Sequence, residues 1–139
     1  MTPPDSFLDT FVAVRAVTEN LPDHQKARSY LDRARRGVAD VALSTHALAE
    51  LFATVTALTT RPQHSPREAK ALTNRVADLL IVTELPYEDY STALDRMVEH
   101  DLASGAIYDT LHVVAAERVY QTHSSSVVAA GLDLQPAAH

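Results

Sequence analysis

Cysteine is absent from this chain of 139 residues. That excludes a disulfide framework and any thiolate nucleophile or thiolate metal site, and it suits a reducing compartment. Glycine occurs three times, at Gly37, Gly105 and Gly131. Where glycine is this scarce and alanine abundant, helices are favoured, and the glycines fall where elements start or stop. No apolar run is long enough to span a bilayer. The start, Met1-Thr2-Pro3-Pro4-Asp5, has neither a basic segment nor an apolar stretch of signal length, so the expected location is the cytoplasm. Aromatic residues make up 6% of the chain, too few for a broad base-stacking platform. Positive charge is also short. The net charge of −6 excludes a protein that grips nucleic acid over its whole surface, while leaving room for an acidic metal site with a local basic patch.

What is present is the balance of one soluble domain: 46% hydrophobic and 22% charged residues. There is no internal repeat, low-complexity segment or linker, so residues 1–139 are read as a single domain. The stretch from Leu43 to Val55 is its pivot. An apolar run ends in Ser44 and Thr45, both natural helix caps, and Leu48, Leu51, Phe52 and Val55 then repeat at helical spacing. Glu50 sits on or beside that apolar face, where a charge is costly unless it is paired or bound to a metal.

The remaining elements follow in order. Ser6-Phe7-Leu8 reads as a strand closed by Asp9. Phe11 to Val17 is apolar throughout and ambiguous between strand and helix. Asp23 is expected to cap an amphipathic helix from His24 to Arg36, ended by Gly37. Val38 to Leu43 is the second strand, and the central helix runs from Thr45 to about Thr59. Ser65-Pro66-Arg67-Glu68 carries a capping box with proline in the first turn, so a helix runs from there to about Asp78. Leu79 to Thr83 suits a strand buried on both faces. A helix from Tyr87 to His100 is expected to turn Tyr90, Leu94, Met97 and Val98 inward. Ile107 to Tyr120 forms a last helix or a helix plus strand, and Thr122 to Ser126 a polar loop. Alternation of strands and helices implies an α/β domain with a mostly parallel sheet.

Ligands in such folds bind beyond the carboxyl ends of the strands. Asp9 closes the first strand, Glu50 follows the second, and Asp109 opens the helix after Gly105. Three carboxylates from distant segments can thus converge, and oxygen-only ligation suits Mg²⁺ or Mn²⁺ and the hydrolysis of a phosphodiester. Each acid also has an ordinary reading. Asp9 can cap a helix, Glu50 can pair with Arg15 or Arg118, and Asp109 suits a helix N-terminus. His46 is four residues before Glu50, and His112 three after Asp109. The spacing allows a transition-metal site, although an exposed His46 and a packing His112 are the commoner meaning. His123, in the polar loop, is a further candidate for contact with phosphate. Lys26, Arg28, Arg33, Arg35 and Arg36 form a basic stripe, and Arg61, Arg67, Lys70 and Arg75 a second; each steers RNA or is a solvated face.

Taken together, Phe7-Leu8-Asp9-Thr10, Ser44-Thr45-His46-Ala47-Leu48-Ala49-Glu50-Leu51 and Gly105-Ala106-Ile107-Tyr108-Asp109-Thr110-Leu111 resemble the PIN domain. The likeness is to the toxin of bacterial VapBC-type toxin–antitoxin pairs and runs from about Ser6 to Gly131. The resemblance implies a three-layer α/β/α sandwich and an endoribonuclease dependent on Mg²⁺ or Mn²⁺. It implies a homodimer neutralised by a VapB-type antitoxin, whose amphipathic helix would lie in a groove near His24–Arg36 and Thr45–Thr59. By position, Asp9, Glu50 and Asp109 match the family's first three acids and would be catalytic metal ligands, with Thr10, Thr45 and Thr122 in support. Two departures stand out. Phe11 occupies a position where the family usually has Asn or Ser. The fourth acid, carried by the family in a Thr-x-Asn-x-x-Asp-like segment, falls here on Ser126 or Val127. Three acids instead of four imply weaker metal binding or loss of a second ion. The alternative implied is a catalytically weakened PIN domain that binds protein or RNA.

Overall fold

The computed structural model describes residues 3–59, 63–121, 126–129 and 132–134. The elements are β1 (Ser6–Leu8), α1 (Thr10–Val17), α2 (His24–Arg35), β2 (Val41–Ser44), α3 (Thr45–Ala57), α4 (Pro66–Leu79), β3 (Ile81–Thr83), α5 (Tyr87–Glu99), α6 (Ala106–Tyr120), β4 (Ser126–Ala129) and β5 (Leu132–Leu134). The strands form one sheet in the order β3-β2-β1-β4-β5. All neighbours are parallel except β4 and β5.

Register explains the layering. Phe7 lies opposite Ala42, and Leu8 opposite Leu43. Side chains alternate across a sheet, so Phe7 and Ala42 share one face while Leu8, Val41 and Leu43 share the other. The second face packs with α1 to α4 through Val12, Leu31, Leu51, Val55 and Val76. The first is covered by α6 through Ala115, Ala116 and Tyr120, and α5 joins α6 through Ala93, Leu111 and Val114. The result is the α/β/α sandwich expected from the sequence. Small residues on α6 let the helix sit close to Phe7. Leu43 is wholly buried, and truncating it to alanine would remove about 2–5 kcal/mol.

Local chemistry sets the helix starts. Asp9 accepts a hydrogen bond from the Val12 amide at 3.0 Å, and Ser44 Oγ one from Ala47 at 3.0 Å. Ser65 and Glu68 complete the capping box. Asp23 behaves otherwise: it adopts a left-handed conformation at φ 62° and makes no side-chain cap bond. The apolar segment after Thr10 is helix.

Two expectations about burial are overturned. β3 is the edge strand, so Ile81 and Val82 are 47% and 38% exposed rather than sealed on both faces. On α5 the inward positions are Asp89, Ala93 and Met97, whereas Tyr90, Leu94 and Val98 are exposed. The helix is rotated because Asp89 turns in to meet Arg118 of α6 at 3.0 Å. β2 begins at Val41 and not Val38. The polar loop lies largely outside the described residues, as does Thr122, while Ser126 opens β4.

Candidate functional site

The parallel strands β1, β2 and β3 present their carboxyl ends at one edge. β1 lies between β2 and β4, where the chain reverses its direction of progress across the sheet. This is the crevice where open α/β folds bind ligands. A shallow cleft opens there, and Asp9, Glu50 and Asp109 all line it. Thr10, Phe11, Ser44, His46, Tyr108 and His112 lie around them.

Each acid is delivered by a different element. Asp9 follows β1 directly and is 6% exposed, its cap bond to α1 fixing the side chain. The ordinary reading of Asp9, a helix cap, is thus the one seen, in a residue that also lines the cleft. Glu50 lies in the second turn of α3, half-buried. Its partner is neither Arg15 nor Arg118: Oε1 is 2.6 Å from Nε2 of His46, one turn earlier on the same helix. Arg118 is committed to Asp89. Asp109 stands exposed in the first turn of α6, where the helix dipole favours a negative charge.

The histidines are parts of the cleft's frame. His46 is half-buried and stacks on Tyr108, with ring centroids 5.2 Å apart and planes 17° apart. His112 packs at 5.3 Å against Phe7, which is wholly buried in the sheet. Leu85, in the loop after β3, closes another side of the cleft. That loop is held by Arg118, which donates to both oxygens of Asp89 at 3.0 Å and to the Glu84 carbonyl at 3.3 Å. The Asp89–Arg118 clamp carries no sequence signal, because its members lie 29 residues apart on two helices.

The donor set suits a hard divalent cation in kind: carboxylates from three elements around one cleft. It is not drawn into a closed cage. Among the described residues, no three His, Cys, Asp or Glu side chains are grouped closely enough to hold one ion. Mg²⁺ is commonly held by one or two carboxylates with water completing its shell, an arrangement that needs no closed cage. Of the supporting threonines, Thr10 lines the cleft; Thr45 is exposed and outside the lining, and Thr122 lies outside the described residues.

The family pattern of the PIN domain matches residues 6–138. No curated protein sequence matches significantly. The crystal structure of VapC20 of Mycobacterium tuberculosis, a toxin that cleaves the sarcin–ricin loop, is similar with a TM-score of 0.63 and 19% identity, over 81% of this chain and 82% of that one. VapBC2 of Rickettsia felis, solved bound to a DNA fragment from its promoter, is similar with a TM-score of 0.50 and 14% identity, over 80% of this chain and 81% of that one. At these identities the two structures share the fold with this chain.

Proposed function

The chain belongs to the PIN domain family, and on that premise we propose that it is a metal-dependent endoribonuclease of the VapC toxin kind. The observation that carries this reading is the convergence of Asp9, Glu50 and Asp109 on one cleft at the carboxyl edge of the sheet. Both similar structures, the sarcin–ricin loop cleaving toxin and the VapBC2 complex, point the same way.

In this reading Asp9, Glu50 and Asp109 would hold Mg²⁺ or Mn²⁺ between them, one or two by direct ligation and the remainder through water. When bound, such an ion supplies charge against the phosphodiester and a water acidified for attack. The protein's own part is positional. Asp9 is fixed by its cap on α1, and Asp109 is placed by the first turn of α6. Glu50 would turn from His46 to ligate. Ser126 or Val127 stands where the family carries a fourth acid, so this reading rests on three acids.

A VapB-type antitoxin is the proposed partner. The groove suited to its helix is lined by α1, α2 and α4 rather than α3. It measures about 430 Å³, with Leu31, Leu72 and Val76 among its apolar residues and Arg28, Arg35 and Arg75 among its charged ones. Homodimerisation through the exposed face of α5 completes the reading, as does a cytoplasmic location. Among the described residues, no helix is long and apolar enough to cross a membrane.

One observation favours a second reading. Among the described residues, no three donors are grouped for an ion, and Glu50 lies close to His46 on its own helix. A PIN domain weakened in catalysis would act as a binding module. Cleavage of a labelled RNA panel with Mg²⁺ or Mn²⁺, beside EDTA and Asp9→Asn controls, separates the two. Metal-dependent cleavage that disappears in the variant establishes the nuclease. Folded, antitoxin-free protein that cleaves nothing establishes the binding module.

A further inference from the structure

Two aromatic rings stand open at the cleft that holds the acids. Phe11 lies two residues after Asp9 in the first turn of α1 and is 54% exposed. Tyr108 immediately precedes Asp109 on α6 and is 50% exposed. Both line the cleft. The fold does not account for Phe11. The core-facing positions of α1 are Val12, Ala13, Val14 and Ala16, and a phenyl ring left half in water contributes little to packing.

Tyr108 is different from an ordinary surface tyrosine because it is backed. His46 stacks on it at 5.2 Å and 17°, and His46 is in turn 2.6 Å from Glu50. Its orientation is set before any ligand arrives, so little further side-chain entropy is lost on binding. The ring remains half open all the same. A fixed, half-open ring beside a phosphodiester site is a stacking surface.

We propose that Phe11 and Tyr108 are the base-stacking walls of the substrate cleft, taking unpaired RNA bases on the two sides of the scissile phosphate. The inference rests on the reading of the cleft as a phosphodiester site. It supplies what the charges there cannot. The chain carries a net charge of −6, and among the described residues the cleft is lined by three acids and no Lys or Arg, so the RNA backbone gains no ionic grip from those walls. Stacking works without charge and accepts every base, because each presents a flat face. It also requires unpaired bases, since those of a duplex are stacked on one another.

The chain has no tryptophan, so the Phe11→Trp variant carries a single indole as a reporter at the cleft. Its emission is titrated with a single-stranded RNA ten-mer and with the same sequence as a duplex. Cleavage of the single strand in Mg²⁺ is followed in parallel. The expected result is quenching by the single strand and not by the duplex. Phe11→Ala and Tyr108→Ala each raise KM about tenfold with kcat little changed, while Phe11→Trp and Tyr108→Phe keep the wild-type KM. The proposal is overturned if the wild type cleaves RNA while both alanine variants keep its KM, the result expected if these rings serve a protein partner instead. If the wild type does not cleave but the indole is quenched by single-stranded RNA, the stacking walls stand and the nuclease reading falls. Absence of both cleavage and quenching removes both.

Discussion

Nε2 of His46 lies 2.6 Å from Oε1 of Glu50, one helical turn away on α3. Both side chains keep about a third or less of their surface exposed, 26% and 32%. An i,i+4 pair of this kind stabilises a helix by only about 0.5 kcal/mol. Glu50→Gln should therefore leave the urea midpoint almost unmoved. If the residue's main work is ligation, the same substitution lowers RNA cleavage by roughly a hundredfold or more, as removal of a group stabilising the transition state does. A variant that unfolds earlier yet cleaves normally would return Glu50 to a purely structural role.

Asp9 caps α1 and is the proposed metal ligand, and two substitutions separate the cap from the charge. Asparagine caps a helix about as well as aspartate, so Asp9→Asn keeps the bond from the Val12 amide while removing the charge. Asp9→Ala removes both. Unfolding curves should show the alanine variant about 1 kcal/mol less stable than the asparagine variant. Cleavage and Mn²⁺ binding by calorimetry should be lost equally in both. Unequal loss of activity would tie function to the cap instead of the carboxylate.

Much of this arrangement was legible in the sequence, because much of it is local. Ser44, Ser65, Pro66 and Glu68 announce their helices through bonds spanning three residues. The convergence of the acids followed from strand order, since parallel strands put Asp9 and the start of α3 at one edge. The misreadings concern partners far apart in the chain. Apolar periodicity put Tyr90, Leu94 and Val98 of α5 inward. The partner that decides the rotation of that helix is Arg118, and nothing near Asp89 in sequence signals it. β3 resembled a central strand because Leu79 to Thr83 is uniformly apolar, yet only its first flanking residue, Leu80, is buried, and the strand has no neighbour on its outer side. Tyr108 could not be singled out, because its significance lies in the stack with His46 across two elements.

The Asp89–Arg118 pair should matter to both stability and the cleft. The Asp89 side chain is 4% exposed, and Arg118 is more than a third exposed at 39%. Removing the guanidinium strands a buried carboxylate, so Arg118→Ala should cost about 2–3 kcal/mol, below the range for a fully buried pair. Arg118→Met paired with Asp89→Leu should recover much of that loss, because neither charge then remains. The double variant should still cleave RNA less well than wild type, since nothing then holds the Glu84 carbonyl and the Leu85 side of the cleft. Urea unfolding beside cleavage rates checks both halves.

Tyr120 offers a stabilising change. Its hydroxyl is buried without a hydrogen-bond partner among the described residues. Burial first, and the Asp5 charge second, push its ionisation above the usual phenol range. Tyr120→Phe removes the unsatisfied group and should leave stability equal or up to about 1 kcal/mol higher at neutral pH. The pH dependence has a definite sign. A group whose ionisation is raised by folding contributes its stability below the ordinary phenol value of 10.0 and loses it as the pH climbs beyond. The melting temperature of the wild type should fall more steeply than that of Tyr120→Phe above pH 10.0. Parallel curves would mean that the hydroxyl is solvated in the folded protein.

The exposed face of α5 gives the last test. Tyr87, Tyr90, Leu94 and Val98 recur at three- and four-residue steps, so they lie on one side of the helix. Tyr87, Leu94 and Val98 are 77%, 56% and 83% exposed, opposite the Ala93 and Met97 side that packs on α6. Burying a Leu or Val of this kind yields about 1.5–3 kcal/mol, so a stripe of four repays association when two copies meet face to face. Leu94→Lys and Val98→Lys place charges in that face without touching the core. Sedimentation velocity should show a dimer for the wild type and a monomer for the double variant, at an unchanged far-ultraviolet circular dichroism spectrum. RNA cleavage per chain in the monomer then reads whether Asp9, Glu50 and Asp109 of a single chain suffice; the expected result is that cleavage persists. A wild type that sediments as a monomer at micromolar concentration would show that the stripe serves some other contact.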